Sequence, residues 1–156
     1  MGRIRRLFAD GRLIGAGLYS DAIVVDLGPV YRITFAGKAA DDPASGAVIG
    51  YEDHNGRFAP DALERQVADV FRQLERLMED VAREIGTPVT VADLTAALVF
   101  LREDYPRAFA RFDDAYAAEF EKRGVADYPI RTTVMRTTLP QPAALVEIQF
   151  EAMVEK

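Results

Sequence analysis

The chain has 156 residues, of which 49% are apolar, enough for one domain with a real core and too few for two. Its 19 Lys and Arg stand against 25 Asp and Glu for a net charge of −6, the wrong sign for the counterion-releasing contacts that hold nucleic acids. There is no Cys, which excludes disulfides, a thiol nucleophile and cysteine-held zinc or iron–sulfur centres. The basic residues Arg3, Arg5 and Arg6 are followed by no apolar run of signal-peptide length, and no segment is apolar enough to span a bilayer. These features lead us to expect a single domain over residues 1–156, soluble and cytoplasmic, with no nucleic-acid or membrane partner.

In chain order, a first strand is expected around residues 3–8. Residues 22–25 and 30–36 flank the turn signal Asp26-Leu27-Gly28-Pro29, which predicts a hairpin. Residues 40–58 are rich in Asp, Gly and Pro and read as a surface loop, with His54 as a turn residue and no catalytic partner beside it. After Pro60 and Asp61, one apolar stripe runs from Leu63 through Val67, Val70, Phe71, Leu74, Leu77, Met78 and Val81 to Ile85, and Gly86 ends it. This is a long amphipathic helix. Residues 94–101 form a nearly continuous apolar run, predicting a strand covered on both faces and central in a sheet.

A second helix begins near Pro106, carries an aromatic stripe of Phe109, Phe112, Tyr116 and Phe120, and stops at Gly124 after Lys122 and Arg123. Residues 130–138 and 144–154 flank Leu139-Pro140-Gln141-Pro142-Ala143 and read as a hairpin with a proline-stiffened loop. In the last strand Val146, Ile148, Phe150, Ala152 and Val154 alternate with Leu145, Glu147, Gln149, Glu151 and Met153. The element order implies a mixed sheet with both helices on one face. The uncovered face, carrying Glu147, Gln149 and Glu151, is too apolar for water and too polar for a core, which suits a subunit interface.

The C-terminal region is the most specific. Tyr128-Pro129-Ile130-Arg131-Thr132-Thr133-Val134, then Leu139-Pro140, then Ala144-Leu145-Val146-Glu147-Ile148 resembles the signature of the Rid family of reactive-intermediate deaminases, also called the YjgF family. Leu18-Tyr19-Ser20, Phe35-Ala36-Gly37-Lys38 and Phe112-Asp113-Asp114-Ala115-Tyr116 are similar to other segments of that family, so the resemblance covers most of the chain from Tyr19 onward. It implies an α/β (α+β) chorismate-mutase-like fold, a homotrimer with sites in the clefts between neighbours, and hydrolysis of 2-imino or 2-enamino acids to 2-keto acids and ammonia without cofactor or metal.

Under that resemblance, Arg131 is the candidate for holding the substrate carboxylate, because a guanidinium offers two parallel hydrogen bonds where a lysine offers a point charge. Thr133 would share its strand face and touch the same ligand. Glu147 is the candidate base for the attacking water and counter-charge to an iminium, with Glu151 as the alternative carboxylate. Tyr19 from the adjacent subunit, Ala36 and Gly37 would line the pocket, and Lys38 is either an anion contact or a surface lysine. Relatives acting on the smallest enamines commonly have Cys at the place of Thr133, Asn at that of Asp113 and Ser at that of Ala36. Asp113, if it faces the site, would put negative charge near an anionic ligand, which would discourage small imino acids or favour a substrate with its own amino group; with the long loop over residues 40–58, these departures make a pathway-specific relative acting on one larger enamine or imine an expectation. The competing expectation is a non-catalytic trimer that binds a metabolite for regulation or assembly. Ribonuclease activity finds little support in an acidic chain with one His.

Overall fold

A computed structural model describes residues 4–8, 18–42, 45–52 and 56–156. The strand order of its main sheet is β1 (Ile4–Leu7), β2 (Ala22–Asp26), β3 (Val30–Phe35), β9 (Val146–Glu155), β7 (Leu94–Arg102), β8 (Ile130–Arg136). The two-residue strand β4 (Lys38–Ala39) also pairs with β9, and β5 (Tyr51–Glu52) pairs with β6 (Arg57–Phe58) in a separate small ribbon. All main-sheet pairs are antiparallel except β7 with β8. The helices are α1 (Ala62–Ile85) and α2 (Ala108–Glu121). This is a mixed α+β fold with two helices on a mixed sheet.

The apolar stripe of α1 is its buried face: Leu63, Val67, Val70, Phe71, Leu74, Leu77, Met78 and Val81 are all buried. Gly86 closes the helix in the left-handed region at φ 75°, its N–H donating to the Ala82 carbonyl, a conformation that only glycine adopts without strain. Phe71 packs edge-on against Phe120 of α2 at 5.3 Å and Phe150 of β9 at 5.5 Å. Truncating such a side chain to alanine costs about 3–5 kcal/mol. Helix α2 starts two residues after Pro106, because Arg107 takes a left-handed φ of 55° before it. Its stripe is narrower than the sequence suggests: Phe112, Tyr116 and Phe120 are buried but Phe109 is 48% exposed.

Two strand expectations need correction. The C-terminal segments form no hairpin, since β8 runs parallel to β7 and β9 lies antiparallel on the other side of β7. Parallel strands need a long crossover, and α2 provides it; the proline-bearing connector then carries the chain past β7. The alternation of β9 records burial of one face, not the identity of its neighbour. Strand β7, in turn, is covered only by the helices. Leu94, Ala97, Val99 and Leu101 are buried, whereas Ala96, Leu98 and Phe100 on the opposite face stay partly exposed. Strand β7 is interior as expected, paired with β9 and β8, and the ten-residue β9 beside it is likewise paired on both sides.

One buried polar side chain ties the loops to this frame. Gln66 of α1 is fully buried; its amide nitrogen donates to the carbonyls of Ile49 and Ala143, and its oxygen accepts from the Leu145 N–H at 2.7 Å. The irregular segment around residue 49 and the connector before β9 are thus fixed to the same point of α1. Among the described residues no helix is long and apolar enough to cross a membrane, and no group of three or more His, Asp or Glu is arranged to hold a metal ion.

Candidate functional site: two half-sites on opposite faces of the sheet

The sequence-derived candidates fall into two groups. The first lies along β8, an edge strand, and the α2 helix above it. Arg131 is in register with Ala97, whose side chain is buried under the helices, so Arg131 projects to the helix face. Its guanidinium carbon sits 5.3 Å from the Phe112 ring centroid and 5.2 Å from that of Tyr116, within cation–π range of both rings. One nitrogen, Nη2, donates to Asp113 Oδ1 at 2.7 Å. The free fork expected from sequence is therefore partly engaged, by the very carboxylate expected to stand near the ligand. The group is 25% exposed, and Nε and Nη1 have no acceptor among the described residues.

Beside it are two buried oxygens without a hydrogen-bond partner, Thr133 Oγ1 and the Tyr116 hydroxyl. Thr133 pairs with buried Val99 in the β7–β8 register and shares the helix face with Arg131, as two-residue spacing on a strand requires. Burial pushes the Tyr116 hydroxyl far above the ordinary tyrosine value, with Arg131 pulling it partly back and Tyr128 adding a little to the rise. It is a neutral donor. Buried unpaired polar atoms are uncommon, and here two of them adjoin a guanidinium with unused donors.

The second group surrounds a cleft of about 460 Å³ lined by Tyr19, Ala36, Gly37, Lys38, Asp41, Gln73, Gln141 and Glu147 among others. The break between β3 and β4 puts Ala36 and Gly37 there: both strands lie along the same side of β9, and the chain steps away between them. Glu147 stands opposite Ala39 in that register, on the face of β9 turned away from the helices. A Cβ built on Gly37 would lie 2.5 Å from Glu147 Oε1, so glycine is what allows the carboxylate its place. Burial raises the Glu147 carboxyl above the usual glutamate range, and the negative charge of Asp41 raises it further. Asp41 is itself raised by burial, with its own backbone hydrogen bond and Lys38 pulling it down. Among the described residues neither Glu147 nor Asp41 has an ion-pair partner. Gln73, from α1, donates to the Ala39 carbonyl at 2.9 Å and holds β4 in position.

The remaining candidates are committed elsewhere. Glu151 accepts from Arg32 at 2.9 Å, and of these two glutamates it is Glu147 that lines the cleft, together with Asp41. Lys38 pairs with the fully buried Asp21 at 2.7 Å, and Asp21 also anchors the break by accepting the Ala36 N–H on its carbonyl. His54 lies outside the described residues. Sequence reasoning missed two participants. Tyr116 was hidden inside an aromatic stripe that reads equally well as core, and Asp41 lies in a segment with no periodicity to mark a direction.

The two groups do not meet within one chain. Glu147 pairs across β9–β7 with Phe100, which pairs with Val134 of β8, so two strand spacings of roughly 4.8 Å each separate the backbones. Arg131 and Glu147 moreover project from opposite faces.

A mixed sheet with both helices on one face and a cleft of metabolite size at a broken strand defines a small α+β protein with its polar side chains divided between two surfaces. The chain belongs to the Rid or YjgF family: the family model described as Endoribonuclease L-PSP matches residues 13–154. Among solved structures it is similar to the YjgF gene product of E. coli, at 21% identity over 95% of this chain and 97% of that one with a TM-score of 0.65. It is similar to RidA from the Antarctic bacterium Psychrobacter sp. PAMC 21119, at 21% identity over 96% and 99% with a TM-score of 0.65. Yeast Mmf1 matches at 19% identity over 98% and 99% with a TM-score of 0.68. At these identities the structures establish the shared fold. No match to a curated protein was found.

Proposed function

We propose that the chain hydrolyses 2-imino and 2-enamino acids to 2-keto acids and ammonia, in sites completed between neighbouring copies of a trimer. The observation that carries this reading is the division just described. Arg131 with Thr133 and Tyr116 at one edge, and Glu147 with Tyr19 and Gly37 on the opposite face, are complementary in chemistry. The uncovered sheet face between them, with Ile130 77% exposed beside Thr132, Gln149 and Glu151, is the surface on which copies would pack.

In the mechanism, the edge of the Arg131 guanidinium that Asp113 leaves open, the second N–H of Nη2 together with Nε or Nη1, takes the substrate carboxylate, and the Thr133 hydroxyl or Tyr116 hydroxyl adds a hydrogen bond. The 2-carbon of the iminium is then presented to the neighbour's cleft. Glu147 of the partner subunit accepts a proton from water as its oxygen bonds to that carbon. The C=N pair of electrons moves to nitrogen, Glu147 returns its proton to that nitrogen, and ammonia leaves as the hydroxyl proton passes back to Glu147 and on to ammonia and the carbonyl forms, so R₂C=NH₂⁺ and H₂O become R₂C=O and NH₄⁺. A carboxylate raised by burial is a stronger base than an ordinary one once ionised, which suits this step.

The family description names an endoribonuclease. Net charge −6 and a single His favour the small-molecule reading, since phosphate-backbone binding needs clustered cations. A binding-only trimer is favoured by one observation, the Asp113 carboxylate already on Arg131.

Subunit mixing tests the proposal. Arg131→Ala and Glu147→Gln should each be inactive alone against imines generated by an amino-acid oxidase. Unfolded and refolded together in equal amounts, they should recover about one quarter of wild-type activity, because each site draws one residue from each of two neighbours. A mixture as inert as its parents, both being trimeric, rejects the shared site; a wild type without activity on any imine leaves the binding-only reading.

A further inference from the structure

The charges around the two half-sites do not balance, and their excess has a sign. Arg131 is met by Asp113 Oδ1 at 2.7 Å, and Asp113 remains 41% exposed with Oδ2 lacking a partner among the described residues. Lys38 is met by the fully buried Asp21. Asp41 and Glu147 then face the cleft with no cation bonded to either among the described residues. The Tyr116 hydroxyl, on a side chain only 4% exposed, is unpartnered beside Arg131, which marks the same place as one that expects a ligand acceptor. A substrate whose only charges are its carboxylate and the iminium that Glu147 answers enters a site where Arg131 and Lys38 already have carboxylate partners, and Asp41 is left with no counter-charge among the described residues. Like charges held in such a partly desolvated space oppose binding.

We propose that the preferred substrate is a 2-imino or 2-enamino acid whose side chain carries a second, cationic nitrogen, an ammonium or guanidinium, and that Asp113 and Asp41 are the residues that select it. This rests on the deaminase reading above. The carboxylate takes the unused donors of Arg131, the side-chain cation pairs with Asp113 Oδ2 or with Asp41 across the interface, and exposed Phe109, whose ring centroid is 6.0 Å from the Arg131 guanidinium carbon, offers an aromatic face to the same cation. Asp113 thus acts as a specificity-determining residue by contact with ligand and by its hold on Arg131.

The test compares imines generated in place by an amino-acid oxidase from arginine, leucine and glutamate, read as imine consumption by the full-length protein. The wild type should favour the arginine-derived imine over the leucine-derived one by about tenfold or more in kcat/KM, with the glutamate-derived imine slowest. Asp113→Asn and Asp41→Asn should each reduce the arginine-to-leucine ratio by about fivefold, Asp113→Asn partly by speeding the neutral substrate. A wild type that handles the leucine- or glutamate-derived imine as well as the arginine-derived one overturns the inference without any variant, while leaving the deaminase standing. So does a ratio unchanged in both variants. If no imine is hydrolysed, the deaminase reading falls and this inference falls with it.

Discussion

The edge formed by β8 and α2 and the cleft beside β4 and β9 solve the problem of holding a charged side chain in opposite ways. At the edge, Arg131 lies within cation–π range of two aromatic rings and is bonded to Asp113, so partners of its own hold it before any ligand arrives. In the cleft, Glu147 is kept by space alone: a glycine leaves room for its oxygen, and burial with a neighbouring Asp41 makes its charge costly. A preorganised cation is suited to positioning, whereas a carboxylate under electrostatic pressure is suited to taking up a proton.

The contrast breaks first at Arg131. Arg131→Ala should lower kcat/KM by roughly a hundredfold or more, and Arg131→Lys should recover little, because a lysine neither stacks on both rings nor offers paired donors. Thermal stability should move only slightly, since the ion pair with Asp113 is partly exposed. A lysine variant with near wild-type kinetics would show that charge without orientation suffices.

Gly37→Ala should act on the other half. Its new Cβ would lie 2.5 Å from Glu147 Oε1, so the carboxylate must swing aside, and kcat should fall about tenfold. Shortening the acid in the same chain, as Gly37→Ala with Glu147→Asp, should restore part of that loss; a double variant worse than both single ones would mean that the glycine serves the backbone and not the side chain.

The smallest effect concerns pH. As a base, Glu147 must be ionised, so kcat/KM should rise with pH through its elevated pKa. Burial is the larger cause of that elevation and Asp41 the smaller. Asp41→Asn removes the smaller and should move the acid limb to lower pH without returning it to the ordinary glutamate range. A limb that stays still, or moves upward, would dissociate Glu147 from the proton transfer.

Much of this was readable in the sequence where burial writes a period. The α1 stripe, the Gly86 stop, the β2–β3 hairpin around Gly28 and the one-sided helix layer all follow from spacing and turn residues, because local rules and tertiary packing agree there. Pairing partners were not readable: β8 and β9 are neighbours in sequence but are divided by β7, and alternation carries no record of which strand lies alongside. Candidate positions came from the resemblance, and strand parity gave the faces of Arg131, Thr133 and Glu147. The Arg131–Asp113 bond joins residues 18 positions apart, and the pressure of Asp41 on Glu147 spans an aperiodic segment. Neither leaves a pattern in one sequence.

The amide of Gln66 grasps the chain at Ile49, at Ala143 and at Leu145 with a single side chain, and the rim residue Gln141 belongs to one of those stretches while Asp41 lies upstream in the other. Anyone grafting a new loop to change what the protein accepts would therefore disturb both walls at once: replacement of one stretch loosens its counterpart, and successful redesign must exchange them as a matched set around an untouched anchor.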